Sequence, residues 1–180
     1  MVFGKKFNKN LQENQPKILI EDTALELVKE TKFLGIYLDS ELNWKKHINY
    51  ISTKIAKSIG IISRANQILG TKYLLQLYYS FIFPYLIYCN VIWGNASAST
   101  IWTIFRLQKI AIRIITNTKR GNSSKTHCIE LRILRVPEIY IYSTTIFIYK
   151  YMNQMMPTNL TYLFQKIRMS ILTILVEQQI

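Results

Sequence analysis

Residues 73–105 contain no charged side chain, and this uncharged run limits most strongly what the chain can fold into. A helix without charge cannot be solvated on all sides, so the run must lie in a protein core or in a membrane. Gln76, Pro84 and Asn90 interrupt it, and its tyrosines are spread along it rather than gathered at its ends. The pattern favours a buried helix kinked or broken at Pro84, with a transmembrane helix over 73–93 as the alternative.

The segment before this run has the clearest helical periodicity in the chain. Five isoleucines recur at helical spacing and share one narrow arc: Ile48, Ile51, Ile55, Ile59 and Ile62. Basic residues occupy the opposite side: Lys46, Lys54, Lys57 and Arg64. Asp39, Ser40 or Asn43 can cap the N-terminus of this helix, and Gly70 is predicted to end it. We therefore expect an amphipathic helix that packs its isoleucines against the uncharged run.

The remaining segments predict a small sheet and further helices. Alternating apolar residues indicate strands at 17–20, 24–28 and 31–39, which together form an antiparallel meander. Helices are predicted from 71 through the uncharged run, at 101–118, at 126–134 and from Pro137 to Pro157. The helix at 101–118 has an apolar face made of Ile104, Leu107, Ala111, Ile114 and Ile115. Its basic face comprises Arg106, Lys109, Arg113 and, if the helix persists that far, Arg120.

The charge distribution points to a polyanionic partner. The formal net charge is +13, and residues 42–129 contain twelve Lys and Arg but no Asp or Glu. Solvated protein surfaces usually mix both signs of charge, whereas a basic surface without acids is typical of proteins that lie on phosphate. The alternative is a basic surface that serves only solubility.

Catalytic and metal-binding patterns are not evident in the sequence. The two aspartates, Asp22 and Asp39, stand apart and are interpreted as a turn residue and a cap residue. His127 and Cys128 are adjacent rather than spaced as a metal pair, and Cys89 is expected in the core. The N-terminus has no apolar signal region, so we expect the nucleus or cytoplasm rather than secretion.

Four segments together resemble one known family. They are residues 27–64 (LVKETKFLGIYLDSELNWKKHINYISTKIAKSIGIISR), 74–95 (LLQLYYSFIFPYLIYCNVIWGN), 106–117 (RLQKIAIRIITN) and 130–157 (ELRILRVPEIYIYSTTIFIYKYMNQMMP). In this order they resemble the C-terminal part of reverse transcriptases from jockey-like non-LTR retrotransposons, over about residues 17–165. In that family the palm, with an aromatic-Ala-Asp-Asp motif, and the fingers precede this region, and both are missing here.

The resemblance implies roles for particular residues. Phe33, Leu34 and Gly35 match the end-of-palm hairpin, which positions the primer terminus. Residues from about 41 match the helical thumb, which holds the template–primer duplex. Five basic residues match the basic pattern of the family: Lys45, Lys46, Arg106, Lys109 and Arg113. Together with Lys54, Lys57 and Arg120 from the basic helix faces, they are the predicted nucleic-acid-binding residues. Trp44 and Trp93 are assigned to the core rather than to base stacking.

The C-terminal tail departs from the family pattern. After Phe164 and Gln165 the family continues into Ser-Tyr-Asn-Thr-Arg, whereas this chain continues RMSILTILVEQQI. Codons for Met169 to Val176, shifted by two bases, can encode the family sequence, so we expect a frameshift near 166–169. The gene sequence tests this expectation.

These inferences combine into one expectation for the whole chain. We expect an α+β, mostly α fold: a short antiparallel β-meander with a polar N-terminal segment (1–40), a thumb-like bundle of four to five helices (41–156) and an irregular tail (157–180). The expected function is that of a truncated reverse transcriptase without catalysis or cofactor, which binds an RNA–DNA or DNA duplex. The parent family uses two divalent metals, Mg²⁺, and the missing palm and fingers are further expected partners. The alternatives are an independent nucleic-acid-binding module and a membrane protein anchored by 73–93.

Overall fold

A computed structural model of the chain describes residues 19–21, 23–24, 28–118 and 124–157. Four strands come first: β1 Leu19–Ile20, β2 Thr23–Ala24, β3 Glu30–Phe33 and β4 Ile36–Asp39. Seven helices follow in these ranges: α1 Lys45–Ala65, α2 Thr71–Phe81, α3 Phe83–Ile87, α4 Asn90–Trp93, α5 Ala98–Ile115, α6 Ser124–Glu130 and α7 Val136–Met152. The predicted α+β, mostly α class is confirmed. Arg120, Asp22 and the predicted frameshifted tail lie outside the described residues.

The strand predicted over 31–39 is wrong, because the chain reverses in its middle. β3 and β4 form an antiparallel hairpin in which Phe33 pairs with Ile36. The two turn residues, Leu34 and Gly35, both have positive φ, at 45° and 82°. Two such residues make the turn that matches the twist of a hairpin, and glycine adopts this conformation without strain. β1 pairs with β2 in a second, separate sheet, so the described strands do not form one meander.

Helix α1 buries its isoleucine stripe as predicted. Ile48, Ile55 and Ile62 are fully buried, and Ile51 and Ile59 nearly so. The Asp39 carboxylate accepts hydrogen bonds from the backbone N–H groups of Glu41, Asn43 and Trp44, at 3.0, 3.2 and 3.2 Å. The predicted N-cap role of Asp39 is wrong, because α1 begins at Lys45 with Trp44 as its N-cap residue, and Asp39 binds only backbone that precedes the helix. The Asn43 side chain instead accepts the Lys45 N–H at 3.0 Å.

The predicted helix end at Gly70 is wrong. α1 stops at Ala65, and the backbone N–H groups of Ile68 and Leu69 both donate to the Ala65 carbonyl. Gly70 instead precedes α2, in an extended conformation. A glycine next to a helix fits either end when only local sequence is considered.

The uncharged run is divided among α2, α3, α4 and the first turns of α5. The predicted break near Pro84 is confirmed, because α2 ends at Phe81 and Pro84 lies in the first turn of α3. A second break follows at Tyr88 and Cys89, where Cys89 has a φ of 49°. The indole N–H of the fully buried Trp93 donates to the Tyr88 carbonyl at 2.9 Å, which satisfies a backbone group at this break. Trp44 and Trp93 both lie in the core, as predicted.

No helix within the described ranges is both long enough and apolar enough to cross a membrane.

A buried glutamine connects α5 to its neighbours. Gln108 is 1% exposed, and its side-chain amide donates to the Tyr78 hydroxyl at 2.9 Å and to the Leu134 carbonyl at 2.8 Å. Its amide oxygen accepts the backbone N–H of Val136 at 2.9 Å. Burial raises the pKa of Tyr78 well above its ordinary value. The burial of Gln108 was not predicted from the sequence, because a glutamine in a basic helix is usually exposed to solvent.

Helix α7 begins as predicted at a proline and packs closely on α4. Pro137 lies in its first turn, and Glu138 accepts the backbone N–H of Arg135 at 2.8 Å while also pairing with the Arg135 guanidinium. Gly94, directly after α4, lies against the ring of Tyr140. Further along α7 several large apolar side chains are exposed: Ile141, Tyr142, Ile148, Tyr149 and Met152.

Candidate nucleic-acid interface

Three lysines and two tyrosines gather where the hairpin meets α1. We call Lys32, Tyr37, Lys46, Tyr50 and Lys54 the lysine–tyrosine cluster. The two tyrosine ring centroids are 5.1 Å apart. The Lys32 ammonium lies 5.4 Å from the Tyr37 centroid and 5.1 Å from that of Tyr50. The ammonium of Lys46 lies 5.3 Å from Tyr37, and that of Lys54 lies 5.6 Å from Tyr50.

The register of the hairpin and the helical spacing of α1 bring the residues of this cluster together. Lys32 and Tyr37 are directly opposed in the β3–β4 register, so their side chains are neighbours. Lys46, Tyr50 and Lys54 follow one another every fourth residue on α1, which places them on one face of the helix. Contact between β4 and α1 then brings the two sets together. Ammonium groups close to aromatic rings are attracted by the ring electrons and remain partly exposed to solvent.

One acidic residue contacts the cluster. Glu30 of β3 forms an ion pair with Lys46, and the side chains are 49% and 44% exposed respectively. Exposed ion pairs contribute little stability, so a phosphate can compete with this carboxylate for Lys46. Of the other predicted phosphate-binding residues on α1, Lys45 and Lys57 are exposed. Around the hairpin and α1, five lysines therefore outnumber the three acidic residues Glu30, Asp39 and Glu41: Lys32, Lys45, Lys46, Lys54 and Lys57.

The basic face predicted on α5 is less accessible than its pattern indicates. Arg106 is exposed, whereas Lys109 and Arg113 are half-buried. The Lys109 ammonium lies 4.5 Å from the Trp102 centroid and 4.1 Å from that of Phe105. The Arg113 Nε is buried without a hydrogen-bond partner among the described residues, and its side chain lines a cavity of about 430 Å³ between α1 and α5. Arg106 is thus the freely exposed member of this set.

The predicted primer-positioning residues form the tip of the hairpin. Phe33 is 62% exposed and Leu34 is 72% exposed. The Tyr88 hydroxyl donates to the Leu34 carbonyl at 2.8 Å, which fixes the tip against the chain that follows α3. A Cβ at Gly35 would lie 3.6 Å from the Tyr88 ring, an ordinary contact. The positive φ, rather than a close approach, is therefore what requires glycine at this position.

Sequence reasoning found Lys46 and Lys54 but missed Lys32, Tyr37 and Tyr50. The spacing of four residues between Lys46, Tyr50 and Lys54 indicates that Tyr50 lies on the same helix face as the two lysines. Lys32 and Tyr37 are neighbours only because of the strand register of the hairpin, and the register follows from the position of the turn at 34–35.

The described part of the chain contains no group of three or more His, Cys, Asp and Glu side chains placed to hold a metal ion. His127 instead contacts Glu130, with 3.1 Å between Nδ1 and Oε2. Both Asp39 oxygens already accept backbone N–H groups, so Asp39 has a structural role here.

Comparison with known proteins gives one informative relative. No protein-family model matches the chain, and neither does any solved structure. A probable RNA-directed DNA polymerase from transposon X-element of Drosophila melanogaster is 32% identical over 106 residues. The match covers 56% of this chain but only 12% of that protein. The resemblance to a retrotransposon reverse transcriptase is thereby confirmed, and the chain is related to a segment of a transposon RNA-directed DNA polymerase.

Proposed function

We propose that this chain binds the sugar–phosphate backbone of an RNA–DNA or DNA duplex, as a fragment of a jockey-like non-LTR retrotransposon reverse transcriptase. In this proposal the hairpin corresponds to the end of the palm and the helices to the thumb. The observation that supports it most strongly is the lysine–tyrosine cluster, where Lys32, Lys46 and Lys54 converge from two elements.

The chemistry of the cluster suits phosphate rather than base edges. Lysine ammonium groups are compact point charges that bind phosphate without reading sequence. Because Lys46 and Lys54 belong to one helix face while Lys32 comes from β3, their charges can meet successive phosphates along one strand. Binding of this kind releases counterions and must weaken steeply as salt is raised.

We further propose that the chain has no polymerase activity by itself. Phosphoryl transfer with two metals requires clustered carboxylates, and the carboxylate of Asp39 is occupied by backbone N–H groups. We therefore expect no template-directed incorporation of nucleotides by the purified chain. Incorporation without a helper subunit would contradict this part of the proposal.

A salt titration tests duplex binding. The affinity of a labelled RNA–DNA duplex is measured by fluorescence anisotropy for the wild type and for the double variant Lys32→Gln/Lys54→Gln. The slope of log affinity against log salt should shrink by up to about two, near one for each lost phosphate contact. Lys72→Gln/Lys150→Gln is the matched control, because it removes the same charge from exposed residues of α2 and α7.

The control separates local contacts from net charge. If both double variants reduce the slope equally, the lysine–tyrosine cluster is not the binding surface. If the wild type shows no salt-dependent binding, the proposed function is wrong. Far-UV circular dichroism checks that each variant remains folded.

A further inference from the structure

A cavity opens between the hairpin turn, α1 and α3, beside the lysine–tyrosine cluster. Its volume is about 290 Å³, near the lower end of the range for small-ligand pockets. Aromatic side chains dominate its lining: Tyr50, Tyr85 and Tyr88. His47, Ile51 and Pro84 complete the wall, and Gly35 closes it at the turn. A cavity lined by aromatic rings suits aromatic ligands, because aromatic rings attract one another in offset-stacked or edge-to-face contacts.

His47 adds a polar group to this apolar wall. Its side chain is only 2% exposed, and its ring centroid lies 5.8 Å from that of Trp93. The Nδ1 atom is buried and has no hydrogen-bond partner among the described residues. Burial lowers the pKa of His47 below its ordinary value, so the imidazole is neutral at pH 7. Nδ1 of a neutral imidazole is a donor or an acceptor according to the tautomer, so His47 can form one hydrogen bond with a polar atom of a ligand.

The cavity is continuous with the positive surface through Tyr50. This residue lines the cavity and also belongs to the lysine–tyrosine cluster. The ammonium groups of Lys32 and Lys54 lie 5.1 and 5.6 Å from its ring centroid. Cationic groups therefore lie beside a ring that also lines the cavity, an arrangement that suits a nucleotide with its phosphate outside and its base inside.

We propose that this cavity receives one unstacked nucleobase of a nucleic-acid strand whose adjacent phosphates bind Lys32 and Lys54. The inference rests on the proposed backbone binding and adds a base contact to it. A base inside an intact duplex is stacked on both faces and cannot enter, so the ligand is an unpaired nucleotide. Stacking on tyrosine tolerates every base, which makes the contact favourable without strong sequence preference.

Two single strands of equal length test the base contact. One is oligothymidylate, and the other is an abasic strand with the same number of phosphates but no bases. The wild type should bind oligothymidylate about five- to 150-fold more tightly, the range for stacking of one base on aromatic side chains. The salt slopes for the two strands should be equal, because their phosphates are equal in number.

Variants locate the contact in the cavity. Tyr88→Leu removes a lining ring whose side chain is 52% exposed, and it should reduce the preference for oligothymidylate while leaving the salt slope unchanged. Tyr88→Phe is the matched control: it keeps the ring, loses the hydrogen bond to the Leu34 carbonyl and should retain the preference. A strand carrying terminal 2-aminopurine gives a direct readout, since its fluorescence falls when the base stacks in the cavity.

The outcomes separate this inference from the proposed function. Salt-dependent binding with equal affinity for both strands would overturn the base site and leave the backbone binding intact. An unchanged preference in Tyr88→Leu would likewise remove the base from this cavity. Absence of binding to either strand and to the duplex would overturn both proposals.

Discussion

Replacing Gly94 with alanine should destabilise the protein, because α4 and α7 approach each other too closely for a side chain at this position. A Cβ on Gly94 would lie 2.4 Å from Cδ2 of Tyr140 and 2.6 Å from the Asn90 carbonyl oxygen. The tyrosine ring can rotate away, but the carbonyl belongs to the backbone of α4 and accepts the Gly94 N–H at 2.7 Å. Relief of this second clash therefore requires the turn from Asn90 to Gly94 to unwind, which breaks the hydrogen bond between the Gly94 N–H and the Asn90 carbonyl.

The expected cost follows from two opposing effects. Forcing extra atoms into a packed region costs about 1–3 kcal/mol, and the backbone clash places this substitution at the upper end. Alanine also lowers the conformational entropy of the unfolded chain, which stabilises the folded protein by about 0.4–1 kcal/mol. The net loss in the free energy of unfolding should be about 2 kcal/mol. For a chain that lies near the stability threshold of most domains, this loss is readily measured.

Gly60 supplies the matched control. It lies inside α1, and a Cβ there would meet no atom within 4 Å. Gly60→Ala should therefore stabilise the protein by about 0.5–1 kcal/mol through helix propensity and a more restricted unfolded state. Replacing glycine with alanine is thus expected to lower the free energy of unfolding at position 94 and to raise it at position 60.

Urea unfolding followed by far-UV circular dichroism measures both variants. The midpoints should move in opposite directions with similar m-values, because neither substitution alters the surface exposed on unfolding. A Gly94→Ala variant as stable as the wild type would refute the close approach of Gly94 to the Asn90 carbonyl and the Tyr140 ring. A destabilised Gly60→Ala variant would refute the open environment on α1.

Three further predictions test other parts of the structure. Gln108→Leu should reduce the free energy of unfolding by about 1–3 kcal/mol in urea titrations, because the buried N–H of Val136 loses its partner. Arg135 holds the pKa of Glu138 below its usual value. The pair therefore stabilises the protein at pH values above the pKa of a free carboxyl, and this stabilisation is lost as the pH falls through the lowered pKa. The Tm of Glu138→Gln, measured against pH, should accordingly decline less on the acid side than that of the wild type. Replacing Arg106, Lys109 and Arg113 of α5 together by glutamine should shrink the salt slope of duplex binding by about one rather than three. The reason is that only Arg106 among these three is freely exposed.

Parts of the candidate site were predictable and parts were not. Lys46 and Lys54 follow from the helical pattern of α1 and the absence of acids around it. The cavity was not predictable, because His47 and Tyr50 belong to α1 whereas Tyr85 and Tyr88 come from a different helix and its end. Distances between elements separated along the chain depend on how the elements pack, and local periodicity carries no information about that packing.

Local sequence determined the helices whose residues repeat with a strong period, above all the buried isoleucine face of α1 and the proline starts of α3 and α7. Local sequence also determined the relationship to a transposon polymerase, since the resemblance depends on residue order alone. Tertiary structure decided the hairpin turn at Leu34, where a non-glycine residue takes a positive φ, and the second break at Cys89. The turn is supported from far along the chain, by the Tyr88 hydroxyl on the Leu34 carbonyl. At the break the supporting group is nearer in sequence, since the indole of the core residue Trp93 donates to the Tyr88 carbonyl. Backbone conformations that are unfavourable in isolation persist only where groups held in place by the folded core satisfy them, so local sequence patterns do not reveal them.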